Sequence, residues 1–158
     1  MSVAEIIQII TAVIGSLGFA VLFNVRGIKL VAATVGGGLS WGLFLLLSHT
    51  ELGEAVCYFI VSMIVSLYAE IMARALKSPT TIFITPAVIP LVPGASLYYT
   101  MSSAFKGDFE SFLQKAIDTF ILAAAIAVGV IASAVVIKLA FNAAQRIHAR
   151  INGEKLDN

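Results

Sequence analysis

Long apolar runs dominate the chain, and polar positions fall mostly in the short gaps between them. A helix needs about 20 predominantly apolar residues to cross a bilayer. Five runs reach that length, at about 3–23, 29–48, 54–73, 82–101 and 117–141. The fourth is interrupted by Pro86, Pro90 and Pro93, each of which removes a backbone donor and disfavours helix in the residue before it. The expected fold is an all-α, polytopic membrane bundle of about five transmembrane helices over residues 1–141, the fourth broken by prolines. Residues 142–158 are expected to form a cytoplasmic amphipathic tail. Lys138, Asn142, Arg146 and Arg150 recur every four positions there, while Leu139, Ala143 and Ile147 face elsewhere. Between the last two runs, Phe105, Phe109, Phe112 and Leu113 share one helical face, with Asp108 as an N-cap. That pattern predicts an interfacial or re-entrant helix over 105–116.

Composition strengthens the membrane reading. Hydrophobic residues make up 59% of the 158 positions and charged residues 12%, about half the share in soluble domains. The net charge of +1 is scattered, without the basic face that nucleic acid requires. Cys57 is the single cysteine, and His49 and His148 lie on different segments, so neither a metal nor a cofactor is expected. No nucleophile–base pair stands out, and Gly36-Gly37-Gly38 lacks the strand and lysine of a phosphate loop, so an enzyme is not expected. The N-terminus has no basic stretch, and no small-residue cleavage site follows the first run, which therefore reads as a retained helix.

Charge also orients the bundle. Arg26 and Lys29 follow the first run, Arg74 and Lys77 the third, and Arg146, Arg150 and Lys155 the fifth. The gap after the second carries only Glu51 and Glu54; the one after the fourth mixes Lys106 and Lys115 with Asp108, Glu110 and Asp118. The positive-inside rule then puts the N-terminus outside and the C-terminus in the cytoplasm.

The richest candidate chemistry lies in Thr85-Pro-Ala-Val-Ile-Pro-Leu-Val-Pro-Gly-Ala-Ser96. Unwound backbone at membrane depth is tolerated only inside protein or against a water-filled cavity, where freed carbonyls hold polar ligands in transporters. Thr85, Ser96, Tyr98, Tyr99 and Thr100 add hydroxyls around the break. A plain kink, with the tyrosines as interface anchors, is the alternative. Glu70 ends a stripe of Tyr58, Ser62 and Ser66 spaced by four, and is either a proton carrier or an i,i+4 partner of Arg74. Asp118 either lines an outer vestibule or favours a helix start. Gly38 and Gly42, and Ala125, Gly129 and Ser133, form small faces suited to close helix packing. Trp41 and His49 read as anchors of the outer end of the second run.

Two stretches together resemble a known family. One is Gly18-Phe-Ala-Val-Leu-Phe-Asn-Val25; the other is Pro86-Ala-Val-Ile-Pro-Leu-Val-Pro-Gly94 with the tyrosine-rich stretch ending Met101-Ser-Ser-Ala104. They resemble the threonine/serine exporter family, in particular its smaller C-terminal-type half, which occurs fused to a larger half or as the small subunit of a split pair. Split pairs of this type are associated with succinate export. The resemblance implies a subunit of a proton-coupled secondary transporter that exports small polar metabolites, either threonine/serine-type amino acids or small dicarboxylates. It implies the bacterial inner membrane and a larger membrane subunit of the same family as partner, beside lipids and the small-molecule substrate. It carries over Asn24, Pro90, Pro93 and Gly94 as motif positions. The expected substrate contacts are therefore Asn24, Thr85, Pro90, Pro93, Gly94, Ser96 and Tyr98, with Glu70 and Asp118 as proton relays. A scaffolding subunit and a homo-oligomeric channel remain open alternatives. An odd number of spans also makes this half the inverse of a five-span partner that starts in the cytoplasm.

Overall fold

The structure, a computed structural model, describes the backbone of residues 2–154 and the side chains of residues 2–139. Its helices are α1 (Val3–Leu22), α2 (Ile28–Ser48), α3 (Glu54–Ala75), α4 (Thr81–Val88), α5 (Gly94–Phe105) and α6 (Phe109–Glu154), with a 3-10 turn at Ile89–Leu91 before α5. Four are long and apolar enough to span a membrane; α4 with its 3-10 turn and α5 form a fifth, bent by 54°.

Three helices end in one backbone device. After α1, Asn24 takes a left-handed φ of 59°, and the N–H of Val25 reaches back to the Ala20 carbonyl at 3.0 Å. After α3, Lys77 (φ 47°) lets Ser78 N–H bond the Ala73 carbonyl at 2.9 Å. After α5, Gly107 (φ 72°) lets Asp108 N–H bond the Ser103 carbonyl at 3.2 Å. This is the Schellman closure, which satisfies helix-end carbonyls and turns the chain sharply. Two helix starts, those of α1 and α6, are capped by side chains. Ser2 and Glu5 form a reciprocal capping box on α1. Asp108 Oδ1 accepts the Ser111 N–H at 3.1 Å to open α6.

The last of these turns corrects one expectation. Residues 105–116 are not a separate surface helix: Phe105 closes α5, Gly107 turns the chain, and Phe109 onward belongs to α6. The α6 backbone stays helical through 142 to Glu154. The side-chain pattern expected of Asn142, Ala143, Arg146, Ile147 and Arg150 lies outside the described residues, as do His148 and Lys155.

In the bundle, α2 packs against α1, α3 and α4, while α6 packs against α3 and α5. One core cluster, of Ala20, Val25, Ala32, Ala33, Ala69, Ala73 and Phe83, lies where α1 ends and α4 begins. A second joins Tyr58, Val61, Val65, Ala87, Leu91 and Leu122 further along α4. Leu122 clusters with Tyr58, and the later Gly129 abuts Ser62 and Phe59, so α3 and α6 advance in the same direction. Two parallel helices require a return crossing between them. The bent α4–α5 pair supplies it, which makes five crossings and puts the start of α1 and the end of α6 at opposite ends of the bundle.

Candidate functional site

The fourth crossing breaks where its prolines demand. Pro86, Pro90 and Pro93 have no N–H, so the carbonyls of Ile82, Pro86 and Ile89 lose their helical donors. Val92 N–H serves the Ile89 carbonyl at 3.1 Å. Gly94 N–H, which a continuous helix would give to Pro90, turns instead to the Val92 carbonyl at 2.7 Å. α4 is held up to this point by burial: Phe83, Pro86, Ala87 and Leu91 are all enclosed.

Beside the break lies a shallow, wide-open cleft of about 270 Å³, lined by Gln8, Thr11, Ala12, Gly15, Trp41, Ile89 and Pro90. Spacings of three and four put the α1 residues on one helical face. Trp41 Nε1 donates to Gln8 Oε1 at 3.4 Å across the α1–α2 seam, so the Gln8 amide nitrogen remains a donor. The Thr11 hydroxyl donates to the carbonyls of Ile7 (3.0 Å) and Gln8 (2.8 Å), and its oxygen stays an acceptor. None of the seven lining side chains is charged. One turn above the cleft, Glu5 Oε1 pairs with His49 Nε2 at 3.1 Å while Glu5 Oε2 accepts the Ser2 N–H at 2.9 Å. A second cleft, of about 280 Å³, lies at the α2–α3 turn by Phe44, Ser48, Leu52, Glu54 and Cys57, away from the break.

The residues singled out in the sequence are dispersed. Pro90 lines the cleft; Pro93 is half-buried at the N-cap of α5, and Gly94 is exposed at its first position. Thr85 is exposed, and Tyr98 points outward from α5, its ring 5.5 Å from that of Tyr99. Ser96 gives its carbonyl to the Thr100 hydroxyl at 2.8 Å. Leu22, the last residue of α1, lies 14 residues beyond Gln8, about 21 Å along the axis, and Asn24 follows it in the turn. Its side chain is exposed and its Oδ1 accepts Arg26 Nε–H at 3.0 Å.

The two acids lie apart from the cleft and from each other. Glu70 Oε1 pairs with Arg74 Nη2 at 2.7 Å, and Glu70 Oε2 accepts the Thr80 hydroxyl at 2.6 Å. Asp118 is exposed on α6. Between Asp118 and Lys138 run 19 uncharged residues, about 28 Å of helix and close to the roughly 30 Å of a hydrocarbon core. Those two charges therefore frame the apolar part of the span. The stripe of Tyr58, Ser62 and Ser66 is buried against its neighbours, with Ser62 taking the space a side chain at Gly129 would need.

Sequence reasoning missed Gln8, Thr11 and Gly15 and treated Trp41 only as an anchor. Their signal was a polar and small stripe at spacings of three and four along the first run. No solved structure matches this chain. The family described as "Threonine/Serine exporter, ThrE" matches residues 8–136, from the first cleft residue nearly to the end of the last apolar span. The chain belongs to the threonine/serine exporter family.

Proposed function

We propose that this chain is one subunit of a secondary exporter and that the cleft at the proline break is its share of the substrate path. The observation that carries the reading is the junction of a broken span with a small, mostly apolar cleft that presents the polar side chains of Gln8 and Thr11. Discontinuous helices build such midplane sites in transporters. The cleft offers one amide donor, one hydroxyl acceptor and no charge, with Trp41, Ile89 and Pro90 as apolar walls. A zwitterionic hydroxy amino acid fits these neutral groups better than a dicarboxylate does. An uncompensated charge taken from water costs several kcal/mol. The exposed aliphatic side chains of α1, among them Ile6, Ile10, Ile14 and Leu17, offer a surface for the larger subunit as well as for lipid. Orientation with the N-terminus outside follows from Arg26, Lys29, Arg74 and Lys77 gathering at one end. Proton coupling falls to Asp118, the acid at the edge of the apolar span.

The test is export of threonine, serine and succinate from cells that carry the chain with and without its larger partner. Gln8→Ala and Thr11→Val should each lower amino-acid export about tenfold while the protein stays folded in the membrane, because a site built to bond a polar group rejects loss of that bond. Undiminished export in both variants would remove the cleft from the substrate path.

A further inference from the structure

The broken element carries no charge of its own. From Ser78 to Phe105 there is no Asp, Glu, Lys, Arg or His. Two charged groups on neighbouring helices nevertheless hold it, one near each end. Glu70 on α3 takes the Thr80 hydroxyl at 2.6 Å, and Lys115 on α6 donates to the Ser103 hydroxyl at 2.9 Å. The first contact is the unusual one. Thr80 occupies the N-cap of α4, where a threonine hydroxyl ordinarily accepts an N–H from the first turn. Here it makes no such cap, and its φ and ψ of −60° and −31° are already helical. The hydroxyl is turned away from its own helix and given to Glu70.

The connection between α3 and α4 leaves little slack. Lys77 closes α3 in a left-handed turn, the Ser78 hydroxyl bonds the Leu76 carbonyl at 3.0 Å, and Pro79 precedes Thr80. Beyond Thr80, α4 is gripped on one side only: Phe83, Pro86 and Ala87 are buried, while Thr81 and Thr85 are exposed. The helix is therefore fixed by its apolar face along its length and by Glu70 at its start. Its far end carries Ile89 and Pro90 into the cleft, about 15 Å from Thr80 by helical rise.

We propose that Glu70 is a positioning residue for the cleft: through Thr80 it sets the seat of α4 and thereby where Ile89 and Pro90 stand. Glu70 does not reach a ligand in the cleft; it acts through α4 and the 3-10 turn that follows it. The inference rests on the reading of the cleft as a substrate site, but its test does not depend on transport. A thiol is placed in the cleft by Ala12→Cys in the full chain, and its rate of reaction with a small maleimide is measured in membranes. Cys57, which is 1% exposed, serves as an internal reporter of unfolding.

A hydrogen bond to a charged group is worth about a factor of ten or more in an equilibrium. With part of that reaching the cleft, Thr80→Val should change the labelling rate by at least about threefold, and Thr80→Ser, which keeps the hydroxyl, should restore it. Ser133→Ala, which removes a bond internal to α6, should leave the rate alone. An unchanged rate in Thr80→Val overturns the proposal, as does a Thr80→Ser rate equal to that of Thr80→Val. If Thr80→Val exposes Cys57, Glu70→Met, which leaves the Thr80 hydroxyl no acceptor at position 70, carries the test: a shifted rate supports the tether, and an unshifted one overturns it. If labelling shifts as expected while Gln8→Ala exports normally, the substrate-path reading fails and the tether stands.

Discussion

The hydroxyl of Ser16 on α1 lies against Gly37 on α2, in the space a β-carbon at position 37 would fill. The same β-carbon would stand 3.5 Å from the carbonyl of Pro86, so α1, α2 and the broken crossing meet at this glycine. The Ser16 hydroxyl is fully buried and has no hydrogen-bond partner among the described residues. Close shape, not a polar bond, holds the three elements together here.

Gly37→Ala should therefore destabilise the bundle by about 1–3 kcal/mol, the usual penalty for overpacking a tight contact. Gly42→Ala should be nearly neutral, because nothing lies within 4 Å of the position its β-carbon would take. Thermal unfolding of the two variants in detergent separates them. Equal losses would show that the glycine-rich face of α2 packs elsewhere than against α1 and α4.

Asn24 illustrates how a motif position can serve the backbone. Its left-handed φ of 59° closes α1 and lets Val25 turn into the core. Asn24→Gly should keep both stability and export, since glycine takes this conformation freely. Asn24→Val should lose about 1–2 kcal/mol by strain. A folded Asn24→Gly protein that fails to export would instead make the side chain a substrate ligand.

The five crossings were legible because length and apolarity alone decide whether a helix can span, and the break was legible because proline chemistry is local. The turn at Gly107 was not. Phe105, Phe109, Phe112 and Leu113 share a face on paper whether or not a left-handed residue divides them. The cleft was hidden for a different reason: Gln8 and Trp41 are 33 residues apart and meet only through the packing of α1 on α2. Glu70 was read as either a proton carrier or an i,i+4 partner of Arg74; one oxygen does pair with Arg74, but the second crosses to Thr80, ten residues on. Local spacing carries no record of such contacts.

Asp108 provides a pH test outside the spans. Hydrogen bonds from Ser111, first from its side chain and then from its backbone N–H, hold the Asp108 carboxyl below the usual carboxylate range. A carboxylate whose pKa is depressed in the folded state stabilises that state at neutral pH, and the contribution disappears as pH falls through the depressed value. Asp108→Ala should lower the melting temperature at pH 7. The gap between the native chain and this variant should narrow as the medium is acidified below about pH 4, near the ordinary aspartate pKa. A gap that stays constant down to pH 2 would mean that the carboxylate does not cap α6.

Selectivity between amino acids and dicarboxylates should be movable at a single position. The cleft walls are uncharged, so a dianion finds no cation there, while a zwitterion needs none. Gln8→Arg places a guanidinium on the cleft face of α1. Two unit charges 4 Å apart attract by about 4 kcal/mol at an effective dielectric of 20, and the open side of the cleft reduces this to roughly 1–2 kcal/mol. The ratio of succinate to threonine export should accordingly rise by about tenfold, since 1.4 kcal/mol is one decade. Glu5 stands three residues away on α1 and competes for the new cation, even though Ser2 and His49 already occupy its oxygens. Adding Glu5→Gln should therefore push the ratio further toward succinate. Competition transport with both substrates at equal concentration reads the ratio directly. A ratio unmoved by Gln8→Arg, alone or with Glu5→Gln, would place the discriminating contacts outside this cleft and leave it a passage that does not choose.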